Sequence, residues 1–258
     1  MAQIIAIINH KGGVGKTSTT VNLAAALQLK KKRVLVIDMD GQANMTESLG
    51  LSIEEEQTVY GAMCGKYPLP LVKLPCGVSI APSCLDLSAA EVELISEPGR
   101  ELILKGLIAE ALIQAPYDYV LIDCPPSLGL LTLNALTAAN LVIIPVQAQY
   151  LALRGMAKIM DIIKIVKARL NPQLIVGGIV ITQFNKRKTL NRSVSELVKE
   201  RFEEKVFKTF IRENVAIAEA PISGKTIFEY SPASNGAKDY MALATEVLNL
   251  KPQRHGKE

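Results

Sequence analysis

The stretch Ile4-Ile5-Ala6-Ile7-Ile8-Asn9-His10-Lys11-Gly12-Gly13-Val14-Gly15-Lys16-Thr17 joins an apolar run to a glycine-rich loop that contains two lysines. The apolar run predicts a β-strand, and a helix is expected to begin near Lys16. Glycines allow consecutive backbone N–H groups to turn towards phosphate oxygens, and the N-terminus of a helix adds the positive end of its dipole. The sequence therefore predicts a phosphate-binding loop directly after the first strand.

Two side chains of this loop match the chemistry of nucleotide phosphates. In a G-x-x-x-x-G-K-[ST] loop the lysine reaches the β- and γ-phosphates, and the hydroxyl ligates Mg²⁺. Lys16 and Thr17 occupy these positions, whereas His10 replaces the first glycine and Lys11 adds a second cation. A glycine-rich turn without a ligand is disfavoured, because a strand precedes the loop and a helix follows it. The nucleotide-binding residues expected here are Lys11, Gly12, Gly13, Val14, Gly15, Lys16, Thr17 and Ser18.

The composition predicts one large domain. The chain has 258 residues, of which 49% are hydrophobic, so it can bury a substantial core. No Pro/Gly/Ser linker or charge block divides it, and we expect a single domain over residues 1–250 followed by a short polar tail, 251–258, that is disordered. The N-terminus enters a strand almost at once, which leaves no room for a signal peptide and favours a cytoplasmic protein.

Several classes of function are disfavoured by the composition. No apolar stretch has the length of a membrane span. The four cysteines show no C-x-x-C spacing, so zinc or iron–sulfur ligation is not expected and the cysteines are expected to be free thiols. A net charge of +4 is too small to indicate nucleic-acid binding by itself, although basic residues are concentrated between Asn185 and Arg212.

Apolar runs alternate with helical patterns along the chain, which predicts βαβ units in a mostly parallel twisted sheet with helices on both faces. Several runs lack a two-residue alternation, as is typical of strands buried on both faces. The predicted strands are Ile4–Asn9, Arg33–Asp38, Val78–Pro82, Tyr119–Asp123, Leu141–Pro145, Ile175–Thr182 and Lys208–Ile211. The predicted helices are Lys16–Leu29, Arg100–Gln114, Leu151–Leu170, Leu190–Glu204 and Ala237–Leu250.

Three aspartates follow predicted strands and are candidates for phosphate hydrolysis. Asp123 ends a strand where a carboxylate could hold Mg²⁺, while Asp38 and Asp40 end another. Hydrolysis of a γ-phosphate requires Mg²⁺, cations that absorb developing charge and a group that orients water. A purely structural role is the alternative in each case. Asp123 could be a capping residue before the turn at Pro125-Pro126, and Asp38 and Asp40 could belong to a turn at Asp40-Gly41.

The two lysines make the loop similar to the deviant Walker A box, K-G-G-x-x-K-[ST], of the ParA/MinD ATPases, which are P-loop NTPases. The resemblance covers about Gln3 to Leu250 and is greatest to the ParA/Soj branch. The segments that carry it further are Asp38–Asn44, Tyr117–Gly129, Ile144–Gln147, Glu219–Pro221, Gly224-Lys225 and Gly236-Ala237. It implies a Mg²⁺-dependent ATPase of the partition type.

The resemblance also implies roles for individual residues. Lys11 would act across an ATP-dependent homodimer, and Asp40 would position the attacking water. Asp38 would lie near the metal, which Thr17 and Asp123 would bind. Asn185 and Pro221 resemble positions near the adenine. From the residues alone, a solvated loop lysine is the favoured interpretation of Lys11, and Asn185 and Pro221 could equally be ordinary loop residues.

Two kinds of partner are compatible with such an ATPase. A partition ATPase binds double-stranded DNA without sequence preference when ATP-bound, is nucleoid-associated, and hydrolyses ATP when a ParB-type centromere-binding protein stimulates it. A MinD-like relative binds membrane through a terminal amphipathic helix, and other relatives position cargo. The polar tail cannot form an interfacial helix, so DNA is favoured and no membrane partner is expected. The candidate DNA contacts are Lys186, Arg187, Lys188 and Arg192.

The basic cluster could also be a plain solvated surface. The helix that follows it is predicted to pack Val194, Leu197, Val198 and Phe202 inward. Four residues depart from the family pattern. Gln149 stands where many relatives have Glu, Ala216 replaces a basic residue, and Arg212-Glu213 replaces Pro-Arg.

Overall fold

The computed structural model describes residues 2–52, 57–149 and 152–250, apart from the side chain of Arg154. The predicted tail 251–258 and the first residue of the predicted helix 151–170 lie outside the described residues. The strands are β1 (Gln3–Ile7), β2 (Val34–Asp38), β3 (Val72–Lys73), β4 (Ser79–Ala81), β5 (Tyr119–Asp123), β6 (Leu141–Gln147), β7 (Ile175–Phe184) and β8 (Val206–Arg212). The helices are α1 (Lys16–Leu29), α2 (Asn44–Ser48), α3 (Val59–Met63), α4 (Leu87–Glu93), α5 (Ile103–Gln114), α6 (Leu130–Ala138), α7 (Ala152–Arg169), α8 (Thr189–Phe202), α9 (Val215–Glu219), α10 (Ile227–Tyr230) and α11 (Asn235–Leu248).

The described strands form a single sheet in the order β3-β4-β2-β5-β1-β6-β7-β8. All neighbours pair in parallel except β3 and β4, which form an antiparallel edge. The predicted fold class is therefore confirmed. Asp123 is in register with both Ile7 and Asp38, so the carboxyl ends of β1, β2 and β5 meet at one edge of the sheet.

The sheet is covered on both faces, which explains the continuous apolar runs. Along β1, Ile5 and Ile7 contact one core, while Ala6 belongs to the other. The first core lies beneath α1 and α11, and the second lies beneath α5, α6, α7 and α8. All five residues of β2 are buried for the same reason. Parallel strands enclosed in this way need no polar face.

Long elements agree with their predicted positions, and short ones were missed. The bounds of β5 and α1 are those predicted, and α11 lies within the predicted helix Ala237–Leu250 apart from its first two residues. The missed elements are β3, α2, α3, α4, α6, α9 and α10. Helix α6 is buried on nearly all sides, so its sequence carries no amphipathic period that would have indicated a helix.

One inward-facing residue was predicted wrongly. Val194 and Val198 of α8 are buried, but Leu197 is 49% exposed. The buried face of α8 also includes Asn191 and Ser195, two polar residues that make hydrogen bonds to backbone oxygens. The buried face of α8 therefore runs through Asn191, Val194, Ser195 and Val198, and Leu197 lies outside it.

Candidate active site

The phosphate loop connects β1 to α1 in the expected geometry. Gly13 and Gly15 have φ angles of 73° and 84°, a left-handed conformation that favours glycine. Helix α1 begins at Lys16 directly after Gly15, so its free N–H groups face the loop. Lys16 is 7% exposed, and its Nζ lies 3.4 Å from the carbonyl oxygen of Lys11. Backbone donors and a buried ammonium group thus line one concave surface, suited to an anion.

Neighbouring strands hold this loop from outside. Asn9 Nδ2 donates to the carbonyl of Pro145 in β6 (2.7 Å), and Asn9 Oδ1 accepts from the backbone N–H of Lys11 (3.0 Å). Thr182 at the end of β7 donates its hydroxyl to the carbonyl of Val14 (2.8 Å). The sequence analysis missed the role of Thr182, and its place at the carboxyl end of a predicted strand was the available signal.

Asp123 is buried beside the phosphate loop. Its Oδ2 accepts a 2.7 Å hydrogen bond from the Thr17 hydroxyl, and its Oδ1 accepts one of 3.3 Å from Thr20. Burial, reinforced by the nearby charge of Asp38, raises the pKa of Asp123 to about 8, although the Thr17 hydrogen bond acts in the opposite direction. A bound cation would favour the ionised form of this carboxyl group.

Asp38 is directed towards the segment that follows β2. Its Oδ2 accepts from both the backbone N–H (2.9 Å) and the hydroxyl (2.7 Å) of Thr46, and its Oδ1 accepts from the backbone N–H of Asp40 (3.1 Å). Burial raises the pKa of Asp38 to about 6, while the three hydrogen bonds lower it. Asp38 fixes the segment from Asp40 to Thr46, a role that turn chemistry alone did not indicate.

Asp40 lies on this segment at the rim of the site. It is 8% exposed, and its Oδ1 accepts from the backbone N–H of Gln42 (3.0 Å). The carbonyl of Asp40 accepts from the Ser83 hydroxyl (2.8 Å), which ties the segment to the end of β4. The predicted turn is thus present, closed by the N–H of Ala43 on the carbonyl of Asp40 (2.9 Å), and the Asp40 carboxylate is held within it. Ser83 and Thr46 were not singled out from the sequence.

These side chains fit a magnesium nucleotide better than a metal alone. Within the described ranges, no three His, Cys, Asp or Glu side chains converge as a metal cluster. Mg²⁺ commonly keeps several waters and is held by one or two protein oxygens together with substrate phosphates. Thr17 and Asp123, already joined by a hydrogen bond, supply such oxygens beside the loop. Asp38 uses both of its oxygens on protein donors.

Lys11 is exposed and bonded within its own chain. Its Nζ donates to Oε1 of Gln149, a residue that follows β6. The neighbouring His10 packs against α7, where a Cβ on Gly155 would lie 2.3 Å from His10 Cε1, so a side chain at this position would displace the His10 ring. Burial and the charge of Lys158 lower the pKa of His10. Gln149, which departs from the family pattern, is therefore itself the hydrogen-bond partner of Lys11.

A cavity of about 560 Å³ adjoins the loop at Gly15 and Ser18. Asn185 and Glu213 line it together with residues of α9, and Tyr240 forms part of its wall. This volume suits a nucleoside. Pro221 does not line this cavity and instead borders a much smaller one beside Thr17 and Ser18. The two predicted base-site residues are therefore not brought together in one cavity.

Lys186, Arg187 and Lys188 form an exposed turn after β7, here called the basic loop. Lys188 pairs with Glu213 at 2.7 Å, whereas Lys186 and Arg187 make no ion pair with any described residue. Glu213 also accepts from Asn185 Nδ2 (2.8 Å), and these two hydrogen bonds lower its pKa. Of the four basic residues that the sequence analysis proposed as DNA contacts, Lys188 therefore has its charge balanced within the chain.

Two further arginines near the basic loop have their own partners. Arg192 donates to the Thr189 hydroxyl (3.2 Å) on the outer face of α8. Arg212 forms a bidentate pair with Asp239 of α11, with a shortest distance of 2.6 Å. Arg212 and Glu213, which depart from the family pattern, therefore each form an ion pair, with Asp239 and Lys188 respectively. None of the described helices is long and apolar enough to cross a membrane.

Comparison with known proteins agrees with this site. A family model described as an AAA domain matches residues 2–176. The sporulation initiation inhibitor protein Soj of Bacillus subtilis is 45% identical over 251 residues, covering 96% of this chain and 98% of that protein. The chromosome partitioning protein ParA of Myxococcus xanthus is 41% identical over 252 residues, covering 96% and 88%.

A solved structure extends the agreement to the fold. Cobyrinic acid a,c-diamide synthase from Mycobacterium smegmatis, with bound ADP and magnesium, is 35% identical and superposes with a TM-score of 0.85 over 96% of this chain and 95% of that one. The fold and the site define a P-loop nucleotide-binding protein. The chain belongs to the ParA/Soj family of partition ATPases, in the deviant Walker A group.

Proposed function

We propose that this partition ATPase binds ATP and Mg²⁺, dimerises in that state, and binds double-stranded DNA without sequence preference. A ParB-type centromere-binding protein then stimulates hydrolysis and releases the dimer from DNA. The observation that carries this proposal is the convergence of Lys16, Thr17, Asp123 and Asp40 at one sheet edge beside an exposed Lys11. The proposed unit is one ATPase domain over residues 1–250 with a short tail, 251–258.

The nucleotide would be held by the loop from Lys11 to Ser18. Backbone N–H groups at the start of α1 would bind phosphate oxygens, and the buried Lys16 would contact the β- and γ-phosphates. Bound Mg²⁺ supplies charge neutralisation at the phosphates. Thr17 would ligate the ion, and Asp123 would hold it in its ionised form, with Asp38 near the site but anchoring the segment that contains Asp40.

Asp40 is proposed to orient the attacking water. Its carboxylate is fixed by the N–H of Gln42, and its backbone is fixed by Asp38 and Ser83. A positioned carboxylate can hold a water in line with the γ-phosphate and accept its proton. The high degree of burial limits the number of orientations available to this group.

Lys11 is proposed to act in the partner subunit's site. The buried Lys16 already supplies a cation to its own loop, while Lys11 is exposed and points towards Gln149. In an ATP-bound dimer the ammonium group would reach the γ-phosphate in the partner subunit. There it would neutralise the charge that develops during hydrolysis, as an arginine finger does. Homodimerisation would then be part of catalysis.

The 560 Å³ cavity is the proposed base site, with Asn185 near the adenine edge. Asn185 already donates to Glu213, so its amide has a fixed orientation before the ligand arrives. Pro221 would approach the nucleotide from the separate small cavity beside Thr17 and Ser18, outside the base cavity.

The basic loop and Arg192 are the proposed DNA contacts. Binding without sequence preference requires only phosphate contacts, and a dimer doubles each one. Lys186 and Arg187 are the stronger candidates, because Lys188 is paired with Glu213. A nucleoid-associated location follows from this binding. The MinD-like alternative is less well supported, since the apolar residues of α11 are buried against the core.

DNA binding measured with ATP, with ADP and without nucleotide tests this function, alongside a liposome sedimentation assay. We expect DNA binding with ATP only, for unrelated duplex sequences alike, and no liposome binding. Liposome binding without DNA binding would favour the membrane reading. Absence of both would favour a cargo-positioning ATPase of the same family.

A further inference from the structure

Gln183, the residue next to Thr182 near the end of β7, has an unusual backbone. Its φ angle is 50°, a left-handed conformation that side-chain-bearing residues rarely adopt, and it interrupts the regular pairing of β7 with β8. Such a conformation persists where surrounding contacts impose it, and it often marks a functional position. The contacts of the Gln183 side chain identify what imposes it here.

The Gln183 side chain is held at both ends. Its Nε2 donates to the carbonyl of Gly13 in the phosphate loop (2.7 Å), and its Oε1 accepts from Gln147 Nε2 at the end of β6 (2.6 Å). A carbonyl can only accept, so Gln183 must present its NH₂ group to Gly13 and its oxygen to Gln147. The side chain therefore has one possible orientation.

The contact with Gly13 bears on phosphate binding through the geometry of the peptide bond. The C=O of Gly13 and the N–H of Val14 belong to one planar unit. In a phosphate cradle the N–H groups face the anion, so a phosphate and Gln183 would contact opposite edges of the same peptide unit. Thr182 holds the next peptide in the same way, through the carbonyl of Val14. These two hydrogen bonds give a movement of the loop on nucleotide binding a direct route to β7.

The opposite end of this connection is the basic loop. The carbonyl of Phe184, next to Gln183, accepts from the N–H of Glu213 (3.0 Å). Asn185 follows, donating to Glu213 and accepting from the N–H of Arg187 (3.0 Å). Glu213 in turn holds Lys188. Hydrogen bonds at Gln183 and Glu213, joined by the backbone from Gln183 to Asn185, therefore connect Gly13 to the cations of the basic loop.

We infer that Gln183 is a positioning residue that links nucleotide occupancy of the phosphate loop to the conformation of the basic loop. The inference rests on the proposed function for its biological meaning, because it explains how ATP would prepare the DNA contacts. Linkage of this kind is reciprocal, so DNA on the basic loop would also favour nucleotide in the phosphate loop.

Hydrogen exchange tests the inference without DNA. Amide exchange in residues 185–192 is measured without nucleotide and with Mg²⁺ plus a non-hydrolysable ATP analogue at saturation. Exchange in residues 11–18 serves as the check that the analogue is bound. We expect the analogue to slow exchange in 185–192 of the natural protein, and Gln183→Leu to lose this slowing, because leucine keeps the bulk without the amide.

Two further variants make the result specific. Gln147→Leu removes only the second anchor of Gln183 and is expected to lose the slowing as well, which keeps the test valid if Gln183→Leu does not fold. Gln173→Leu, an exposed glutamine before the opposite end of β7, is the matched control and should keep it. The inference is overturned if the natural protein shows no slowing of exchange. It is also overturned if Gln183→Leu and Gln147→Leu both retain the slowing, or if the control Gln173→Leu loses it.

This outcome is separable from that of the DNA assay. Slowing that depends on Gln183, in a protein that does not bind DNA with ATP, would reject the proposed function and leave the link intact. ATP-dependent DNA binding without slowing in residues 185–192 would reject the link and leave the function intact.

Discussion

Asp38 and Asp123 are paired in register across β2 and β5, so two buried carboxyl groups end adjacent strands. Their mutual repulsion adds to burial in raising the pKa of Asp123, and each is stabilised by hydroxyl donors from a neighbouring threonine. This arrangement makes the metal-free protein sensitive to pH, because burial disfavours the charged form of both carboxyl groups more strongly than the nearby hydroxyl donors favour it.

The stability of the metal-free protein should fall as pH rises. Because the pKa of Asp123 is raised from 3.8 to about 8, the folded state binds more protons than the unfolded state in this window. The free energy of unfolding therefore decreases with pH between these values. Urea unfolding of the natural protein and of Asp123→Asn, without Mg²⁺ or nucleotide, measures the difference. The natural protein should lose stability relative to Asp123→Asn from pH 5 to pH 8, and a constant difference would contradict the prediction.

Lys16→Ala should remove nucleotide binding. No other ammonium group is buried in the phosphate loop, within the residues that the structure describes, and charge-assisted hydrogen bonds to two phosphates are lost together. Each such bond contributes about 1.5–3 kcal/mol, so we expect ATP affinity to fall roughly a hundredfold or more. Equilibrium titration with a fluorescent ATP analogue measures it. Lys158→Ala, on α7 near His10, is a control outside the loop, and unchanged affinity in Lys16→Ala would reject the phosphate-loop assignment.

Asp40→Ala should separate binding from hydrolysis. The water-orienting carboxylate is removed while Lys16, Thr17 and Asp123 remain, so ATP and Mg²⁺ should still bind. Hydrolysis should fall by about 10²-fold to 10⁴-fold, the usual contribution of a general base. Light scattering with ATP should reveal an accumulated dimer. A variant that remains monomeric with ATP, or that turns over normally, would contradict the role of Asp40.

Lys11→Ala should fail at the dimer stage. The side chain bonds to Gln149 in the single subunit, and its proposed site of action is the partner subunit's nucleotide. We expect ATP binding with little dimer, and hydrolysis reduced by about 10³-fold or more, as for loss of an arginine finger. Gln149→Ala is the matched control, since it frees Lys11 without removing its charge. Normal dimerisation and hydrolysis by Lys11→Ala would show that it is a solvated loop lysine.

Arg187→Glu should weaken DNA binding for all sequences alike. Arg187 is exposed and makes no ion pair with a described residue, so its charge is available to phosphate. Each phosphate contact contributes about 0.9 to the slope of log affinity against log salt, so loss from both subunits should flatten the slope by about 1.8. Arg169→Glu, an exposed arginine that ends α7 at the opposite edge of the sheet, makes the same charge change as a control.

The result for Arg187→Glu is interpretable only if ATP-dependent dimerisation is intact, which light scattering checks. Full DNA affinity at moderate salt would mean that the basic loop is a solvated surface. The DNA face would then have to include other residues.

The sequence predicted those parts of the site that depend on local order. The phosphate loop and the aspartates at strand ends lie where βαβ topology places them, so their convergence followed from the positions of Lys16, Asp38 and Asp123 in the chain. The fold class followed from the same alternation. Helix α6 could not be predicted, because it is buried on nearly all sides and its sequence therefore has no alternation of apolar and polar residues at the helical period.

What depends on distant partners could not be read from the sequence. Lys188 was grouped with three other cations, but its charge is balanced by Glu213, 25 residues away on another segment. Leu197 was assigned inward, because an apolar residue beside Val198 fits the helical period, and only the contact with the sheet shows which face is covered. Gln147 and Gln183 carry no motif, since their importance comes from one another and from Gly13.

All the side chains considered above for nucleotide or DNA lie at the carboxyl edge of the parallel sheet, which leaves the amino edge available for labelling. The turn from Asn171 to Leu174 is at this amino edge, and Gln173 within it is exposed. A cysteine introduced at this position would carry a fluorophore across the sheet from the phosphate loop. With the partly exposed Cys64, Cys76 and Cys84 replaced, such a dye would label a single position and leave the phosphate loop and the basic loop unmodified.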